Sequence, residues 1–560
     1  MVKGKKNKQS QENSLARREF LQLGGAAIIG VNLSTHTAAA ASNAARAFTP
    51  AAAAMARPFE LEEATIAGLQ QGMKAGKFTA RSLVEKYLAR IAEIDKRGAN
   101  VNSIIELNPD ALQIADSLDR ERRSGKTRGA LHGIPVLIKD NIDTADRMMT
   151  TAGSLALVGS KPARDAFVAQ RLREAGAVIL GKTNLSEWAN FRSSHATSGW
   201  SGRGGQTRNP YALDRNPCGS SSGSGAAAAS NFCAVAVGTE TDGSIVCPSS
   251  SNSLVGIKPT LGLVSRAGII PISHSQDTAG PMARTVADAA ILLGALAGID
   301  ARDAVTQESR GKAFADYTKF LDPDGLRGAR IGVARKFFGF NEAVDPLMNA
   351  AIEAMKRLGA IIIDPAEIPT TGKFDDSEFE VLLYEFKADL NAYLASLGQS
   401  APVHSLKEII EFNERHRDKE MPYFGQDIML KAEAKGALTS KEYLAALAKN
   451  HRLSRTEGID AVMNQYKLDA MIAPTGSPAW PTDLLNGDHT TGGFSSPAAV
   501  AGYPHITVPA GFVAGLPVGL SFFGRAYTEP VLIKLAYAYE QATKLRRPPK
   551  FLATVERFGS

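Results

Sequence analysis

The chain has 560 residues, 44% of them hydrophobic and 22% charged, the ordinary balance of a globular enzyme with a core large enough to need neither disulfides nor metals. Of its net charge of +7, residues 1–40 contribute +4, from six basic and two acidic side chains. The remaining +3 is too little to argue for a nucleic-acid partner.

The N-terminus reads as a targeting segment. A basic stretch leads into Arg17-Arg18-Glu19-Phe20-Leu21, an apolar run extends from Leu23 to Leu33, and small residues follow from Thr37 to Ala45. The apolar run is too short to span a bilayer. Residues 1–45 are therefore expected to be a twin-arginine-type signal peptide and a small-residue linker, exporting the protein to the periplasm or beyond with no stable membrane association after cleavage.

The remainder, 58–550, reads as a single catalytic domain. Residues 60–76 and 79–98 have the periodicity of amphipathic helices. In the second, Leu83, Tyr87, Ile91 and Ile94 recur at helical spacing behind Thr79 as a cap. Pro109 and Gly125 bracket a third helix. Residues 133–139 (GIPVLIK) are an apolar run of strand character that ends in Lys139, and a helix over 167–175 feeds a strand over 177–180. Residues 199–225 form a polar loop rich in Gly, Ser, Arg and Asn, followed by an Ala-rich helix to about 231. A buried strand over 233–238 then delivers the chain to Thr239-Glu240-Thr241-Asp242-Gly243-Ser244. A helix over 284–297, a strand over 329–333 and a mostly charged, helix-forming stretch over 374–460 come next, the last suited to an inserted cap. Strand-like runs begin at 468, 505 and 517, and a helix over 530–545 closes the domain. No repeat of twenty to fifty residues is present, which excludes solenoids and propellers. The pattern predicts an α/β fold with a mixed central β-sheet covered by helices on both faces.

Three local features carry chemistry. The first is Cys218-Gly219-Ser220-Ser221-Ser222-Gly223-Ser224-Gly225, which contains a G-x-S-x-G match centred on Ser221. A nucleophile elbow needs a strand running directly into it, and Pro210 and Pro217 exclude one here; a dinucleotide reading of Gly223, Gly225 and Ala228 fails for the same reason. The second is 238–245, where a turn after a strand would aim backbone N–H groups into the space beside the Ser244 hydroxyl, the pairing acyl transfer requires. The third is Lys139, which would become a base if burial stripped its proton. Ser309-Arg310-Gly311-Lys312 matches S-x-x-K but lacks the partner motifs. Cys218, Cys233 and Cys247, an odd number without metal-ligand spacing, exclude a disulfide scaffold; one bridge is open if two approach, but they read chiefly as small buried side chains.

Together the Gly/Ser-rich run, the G-T-E-T-D-G-S-I stretch with Ser244 24 positions beyond Ser220, and Ile138-Lys139-Asp140-Asn141 upstream resemble the amidase signature family. The resemblance spans roughly 60–545 and includes Gly181-Lys182-Thr183-Asn184 with Glu187, Gly256-Ile257-Lys258-Pro259-Thr260 and Asp277-Thr278-Ala279-Gly280-Pro281. It implies the amidase signature fold and a Ser–Ser–Lys triad: Ser244 as nucleophile, Ser220 as bridge and Lys139 as base. It further implies an oxyanion hole from the backbone N–H groups of Thr241, Asp242, Gly243 and Ser244, a cis peptide at Gly219–Ser220, support from Ser221 and Asp277, and no metal or organic cofactor. One departure is Val246, where many members have an arginine two positions after the nucleophile. The Val246-Cys247 version resembles the bacterial peptide amidase branch, which implies release of ammonia from C-terminal amides of peptides.

The rival readings are a broad aliphatic or aryl amide hydrolase, an amidotransferase A-type subunit, which the signal argues against, and an inactive binding protein on the same scaffold. A Ser–His–Asp hydrolase centred on Ser221 would need His274 or His505 within reach. Substrate is expected to be a small-molecule or peptide amide; oligomeric state is not legible.

Overall fold

The computed structural model describes residues 58–398 and 401–556. The expected signal segment, 1–45, lies outside the described residues. The centre of the fold is one sheet of eleven strands, with a two-residue hairpin apart from it. In chain order the strands are β1 Ile104–Leu107, β2 Pro135–Lys139, β3 Val178–Thr183, the hairpin β4 Trp200–Ser201 and β5 Gly205–Gln206, β6 Val235–Glu240, β7 Val255–Lys258, β8 Thr278–Ala283, β9 Arg330–Val333, β10 Ile361–Ile363, β11 Ala470–Pro474, β12 His505–Val513 and β13 Leu516–Phe523. Their order in the large sheet is β1-β3-β2-β6-β8-β7-β12-β13-β11-β9-β10. Parallel pairing holds β2 to β3 and to β6, and β9 to β10 and β11; the other neighbours are antiparallel.

The sheet is mixed, with helices against it, and β2, β3, β6 and β13 are buried at every residue. That burial explains why these strands read as continuous apolar runs and not as alternating ones. Helix formation follows local chemistry. Thr79 caps the helix Ala80–Arg90 in a reciprocal capping box with Ser82, and Pro530 lies in the first turn of the helix Glu529–Thr543.

Several elements differ from the sequence reading. Strands β1, β7, β8 and β10 and the helix Asp345–Arg357 were not expected. The Ala-rich helix starts at Ser222 instead of 225, so serines read as loop form its first turn. The 374–460 stretch is helical throughout most of its length, beginning with the 22-residue helix Asp375–Ser396. Leu382, Leu383, Phe386, Leu390, Ile428 and Met429 from this stretch share a core cluster with Ala152, Leu157, Leu185, Trp188, Ile270 and Ile272. This helical stretch is thus fastened to residues 152–272 by a shared apolar cluster. Among the described residues no helix is long and apolar enough to cross a membrane.

Candidate active site

Parallel pairing of β2 with β6, in the register Ile138↔Val237, brings the carboxyl ends of both strands to the same edge. Ligands of open α/β sheets gather at such edges. Lys139, the last residue of β2, therefore lies beside Thr239 of β6. Its Nζ donates to Thr239 Oγ1 at 2.9 Å, to the Thr239 carbonyl at 3.3 Å and to Ser220 Oγ at 2.7 Å. Asn141 Nδ2 holds the same Thr239 hydroxyl at 3.0 Å. Lys139 and Ser220 are 0% exposed. Burial lowers the Lys139 amine to about 7, with Asp277 and Glu240 pulling weakly the other way.

Lys182 and Lys258 are equally buried but engaged elsewhere. Lys182 donates to the Ile142 carbonyl and Thr150 Oγ1, and Lys258 to the Pro259 carbonyl. Of the three, Lys139 is the one on a serine hydroxyl.

Ser220 follows a cis peptide at Gly219. A side chain at Gly219 would place its Cβ 2.2 Å from Ser186 Oγ, so only glycine fits. Ser221 joins the two serine segments: its N–H donates to the Ser244 carbonyl at 3.2 Å, and its Oγ donates to the Thr239 carbonyl at 3.0 Å. Neither histidine named as a possible partner reaches it. His274 lies on Asp389 at 2.8 Å, and His505 on Ser521 Oγ at 2.6 Å. The Ser–His–Asp reading therefore has no support in the geometry.

After β6 the chain turns sharply at Gly243, whose φ of +76° suits glycine. Ile245 and Val246 N–H groups donate to Glu240 Oε2 at 2.7 and 3.1 Å. The four N–H groups before them, Thr241 to Ser244, have no acceptor among the described residues. Asp277 takes Thr241 Oγ1 at 2.5 Å and the N–H groups of Ile272 and Ser273 at 2.8 and 2.9 Å. It is half-buried, and loss of solvent around it raises its carboxyl to about 6. Ser244 itself is 8% exposed. Val246 begins the helix Val246–Ser251 and is fully buried, so this position faces the core.

The cysteines correct the sequence reading. Cys218 and Cys247 form a disulfide with Cα atoms 6.0 Å apart, and only Cys233 is a free, buried thiol. The bridge ties the segment before Ser220 to the helix after Ser244. It closes a loop of 29 residues, for which chain-entropy arguments give roughly 3–4 kcal/mol. Cys218→Ser/Cys247→Ser is accordingly expected to lower unfolding free energy by about 3 kcal/mol, measured by denaturant titration without reductant; an unchanged midpoint would show that the bridge adds no stability.

A cavity of about 810 Å³ opens against this edge. Asn141, Thr239, Thr241 and Asp277 line it, together with Ile269 to Ile272 and with Asp389, Ala392, Tyr393 and Leu397 of the 374–460 stretch. Tyr393 donates to Asp143 at 2.8 Å, fixing the insert to the cavity wall. Lys139, Ser220 and Ser244 are not in that wall; the groups that hold Lys139 are. Sequence reasoning missed Thr239, although it stands inside the G-T-E-T-D-G-S stretch, and missed the insert's contributions entirely.

The family model described as Amidase matches residues 82–533. The chain belongs to the amidase family. A peptide amidase from Stenotrophomonas maltophilia has the same fold, with 53% identity, a TM-score of 0.84 and coverage of 88% of this chain and 100% of that one. A probable amidase of Arabidopsis thaliana is 45% identical over 504 residues, 88% of this chain and 93% of its own length. The A-type subunit of the Chloroflexus aurantiacus glutamyl-tRNA(Gln) amidotransferase is 36% identical over 498 residues, covering 87% and 98%. This amidase is an enzyme that hydrolyses amide bonds.

Proposed function

We propose that this amidase removes ammonia from the C-terminal amides of peptides, through a Ser244–Ser220–Lys139 relay and an acyl-enzyme. The observation that carries the chemistry is the 2.7 Å hydrogen bond from Lys139 to Ser220 inside a site that favours neutral lysine. Neutral Lys139 takes the Ser220 proton as Ser220 takes that of Ser244, and Ser244 Oγ attacks the amide carbonyl carbon. The carbonyl oxygen becomes an oxyanion facing the unpaired N–H groups of Thr241 to Ser244. The proton then returns through Ser220 to the leaving nitrogen, the C–N bond breaks, and ammonia departs. Water attacks the ester by the same relay, so amide and water yield carboxylic acid and ammonia. No step calls on a metal or organic cofactor.

The 53% identity to the Stenotrophomonas peptide amidase supports the peptide substrate over a small aliphatic or aryl amide. The test compares ammonia release from a C-terminally amidated tripeptide, the corresponding amino-acid amide and a simple aryl amide. We expect kcat/KM for the tripeptide to exceed the other two by at least about tenfold, since contacts along the acyl chain add transition-state binding. Equal or reversed ranking would discard the peptide substrate and favour the broad amide hydrolase.

Export by the twin-arginine-type segment belongs to the same proposal. The Cys218–Cys247 bridge supports it, because such bonds persist in oxidising compartments.

A further inference from the structure

The loop that carries Ser244 is held from beneath by a pair of carboxyl groups, one of them from the insert. Ser496 Oγ donates to Asp242 Oδ2 at 2.6 Å. The other oxygen, Asp242 Oδ1, is buried and receives no hydrogen bond from any N–H or hydroxyl among the described residues. A buried acceptor left unpaired is costly and unusual. Facing Asp242 is the carboxyl of Glu378, in the first turn of the helix Asp375–Ser396 and only 8% exposed. Glu378 Oε1 accepts from Gln276 Nε2 at 2.9 Å, and the same Gln276 nitrogen reaches the Thr241 carbonyl at 3.3 Å.

The charged groups acting on Glu378 are Asp242 and Asp375, both acidic, and Gln276 is its neutral partner. Burial first, and then the Asp242 charge, push the Glu378 carboxyl well above the usual carboxylate range. Two ionised carboxylates in this contact would repel each other away from water; one shared proton turns the repulsion into a charge-assisted hydrogen bond.

We propose that Glu378 carries a proton at neutral pH and donates it to Asp242 Oδ1, so that the inserted helix clamps the Thr241–Ser244 loop in its working conformation. The functional part rests on the reading of that loop as the oxyanion site and of Ser244 as the nucleophile. Glu378 is a positioning residue, acting through Asp242 and, by way of Gln276, through Thr241. Loss of the proton at alkaline pH sets Glu378 against Asp242 and displaces the loop, and shifts of about 1 Å in such a loop reduce turnover by up to about a hundredfold.

The test uses the full chain with Glu378→Gln and Glu378→Ala. Glutamine keeps an acceptor for Gln276 and a donor for Asp242 but has no proton to lose. We expect Glu378→Gln to retain kcat within about threefold at neutral pH and to lose the alkaline decline of the wild type. Glu378→Ala is expected to lower kcat at least tenfold with less change in KM, as lost positioning and not lost substrate contact would do. Infrared difference spectra, wild type minus Glu378→Gln, supply a readout independent of turnover: the carbonyl stretch of one protonated buried carboxyl should appear at neutral pH, in the native and the Ser244→Ala background alike, while the bands of other buried acids such as Glu187 cancel. A difference spectrum without that band would overturn the proposal, as would an unaltered alkaline limb in Glu378→Gln. If Ser244→Ala stays active while the band behaves as stated, the nucleophile assignment fails and the shared proton stands.

Discussion

Ser244→Ala is expected to lower kcat on every amide substrate by on the order of 10⁵-fold, because removing a nucleophile abolishes the covalent route and leaves only what the donors and the site can do for direct attack by water. The fold should be unaffected. Ser244 Oγ is not needed for any contact that shapes the loop: its carbonyl takes the Ser221 N–H, and the neighbouring turn is held by Glu240, Asp242 and Asp277 through their own partners. Substrate should still bind, so KM-like affinity measured by equilibrium titration should change little. The contrast with Ser221→Ala is informative. Ser221 Oγ lies on the Thr239 carbonyl, the group that also accepts from Lys139. Its loss is expected to reduce kcat by the smaller factor that a loosened base would produce.

Lys139→Met carries the second large expectation, a fall in kcat of about 10³–10⁴-fold, the upper part of what general acid–base catalysis contributes. Methionine has similar length and suits the apolar strand end, so the loss is of the proton acceptor and not of packing. The pH profile follows from the sign of the shift. Burial disfavours the ammonium form and brings Lys139 to about 7. Below that value the amine is charged and useless as a base; above it, neutral. In the wild type kcat/KM should therefore rise about tenfold per pH unit up to about 7 and then level off, until the alkaline decline set by Glu378 begins. The same depression affects stability: between about 7 and the ordinary lysine range the unfolded chain binds the proton that the folded chain has released, so stability rises with pH across that window. Residual turnover in Lys139→Met should lack the limb near 7. A full-strength limb in that variant would assign it to another group, with Asp277, raised to about 6, the first candidate.

The fold and the centre of the site were legible in the sequence to different extents, for physical reasons. Strands β2 and β6 are buried on both faces, so their apolar runs announced them, and Lys139, the candidate base, is the last residue of β2. Strand β8 was hidden by Gly280 and Pro281, residues that ordinarily exclude a central strand, yet it pairs with β6 and β7 on its two sides. The helix Ser222–Ala229 was recognisable only from its alanines, because serine and glycine in its first turn carry no helix signal. The disulfide depends on a loop residue and a helix residue meeting 29 positions apart, which no local pattern encodes. Lys139, Ser220 and Ser244 stood out because family motifs surround them. Thr239, Asn141 and Gln276 are ordinary polar residues whose importance comes from where the register places them. Glu378 was the least legible of all: in sequence it is one acid in the acidic first turn of a helix, and only the packing of the insert against residues 241–276 sets it against Asp242.

The covalent step is tested most directly by quenching the enzyme in acid during turnover of an amidated peptide, or of its slowly deacylating ester, and mapping the acyl adduct by mass spectrometry. The serine relay predicts one adduct of the acyl mass, on the peptide containing Ser244, absent in Ser244→Ala. An adduct on Ser220 or Ser221, or turnover of the ester with no covalent species at any quench time, would contradict it.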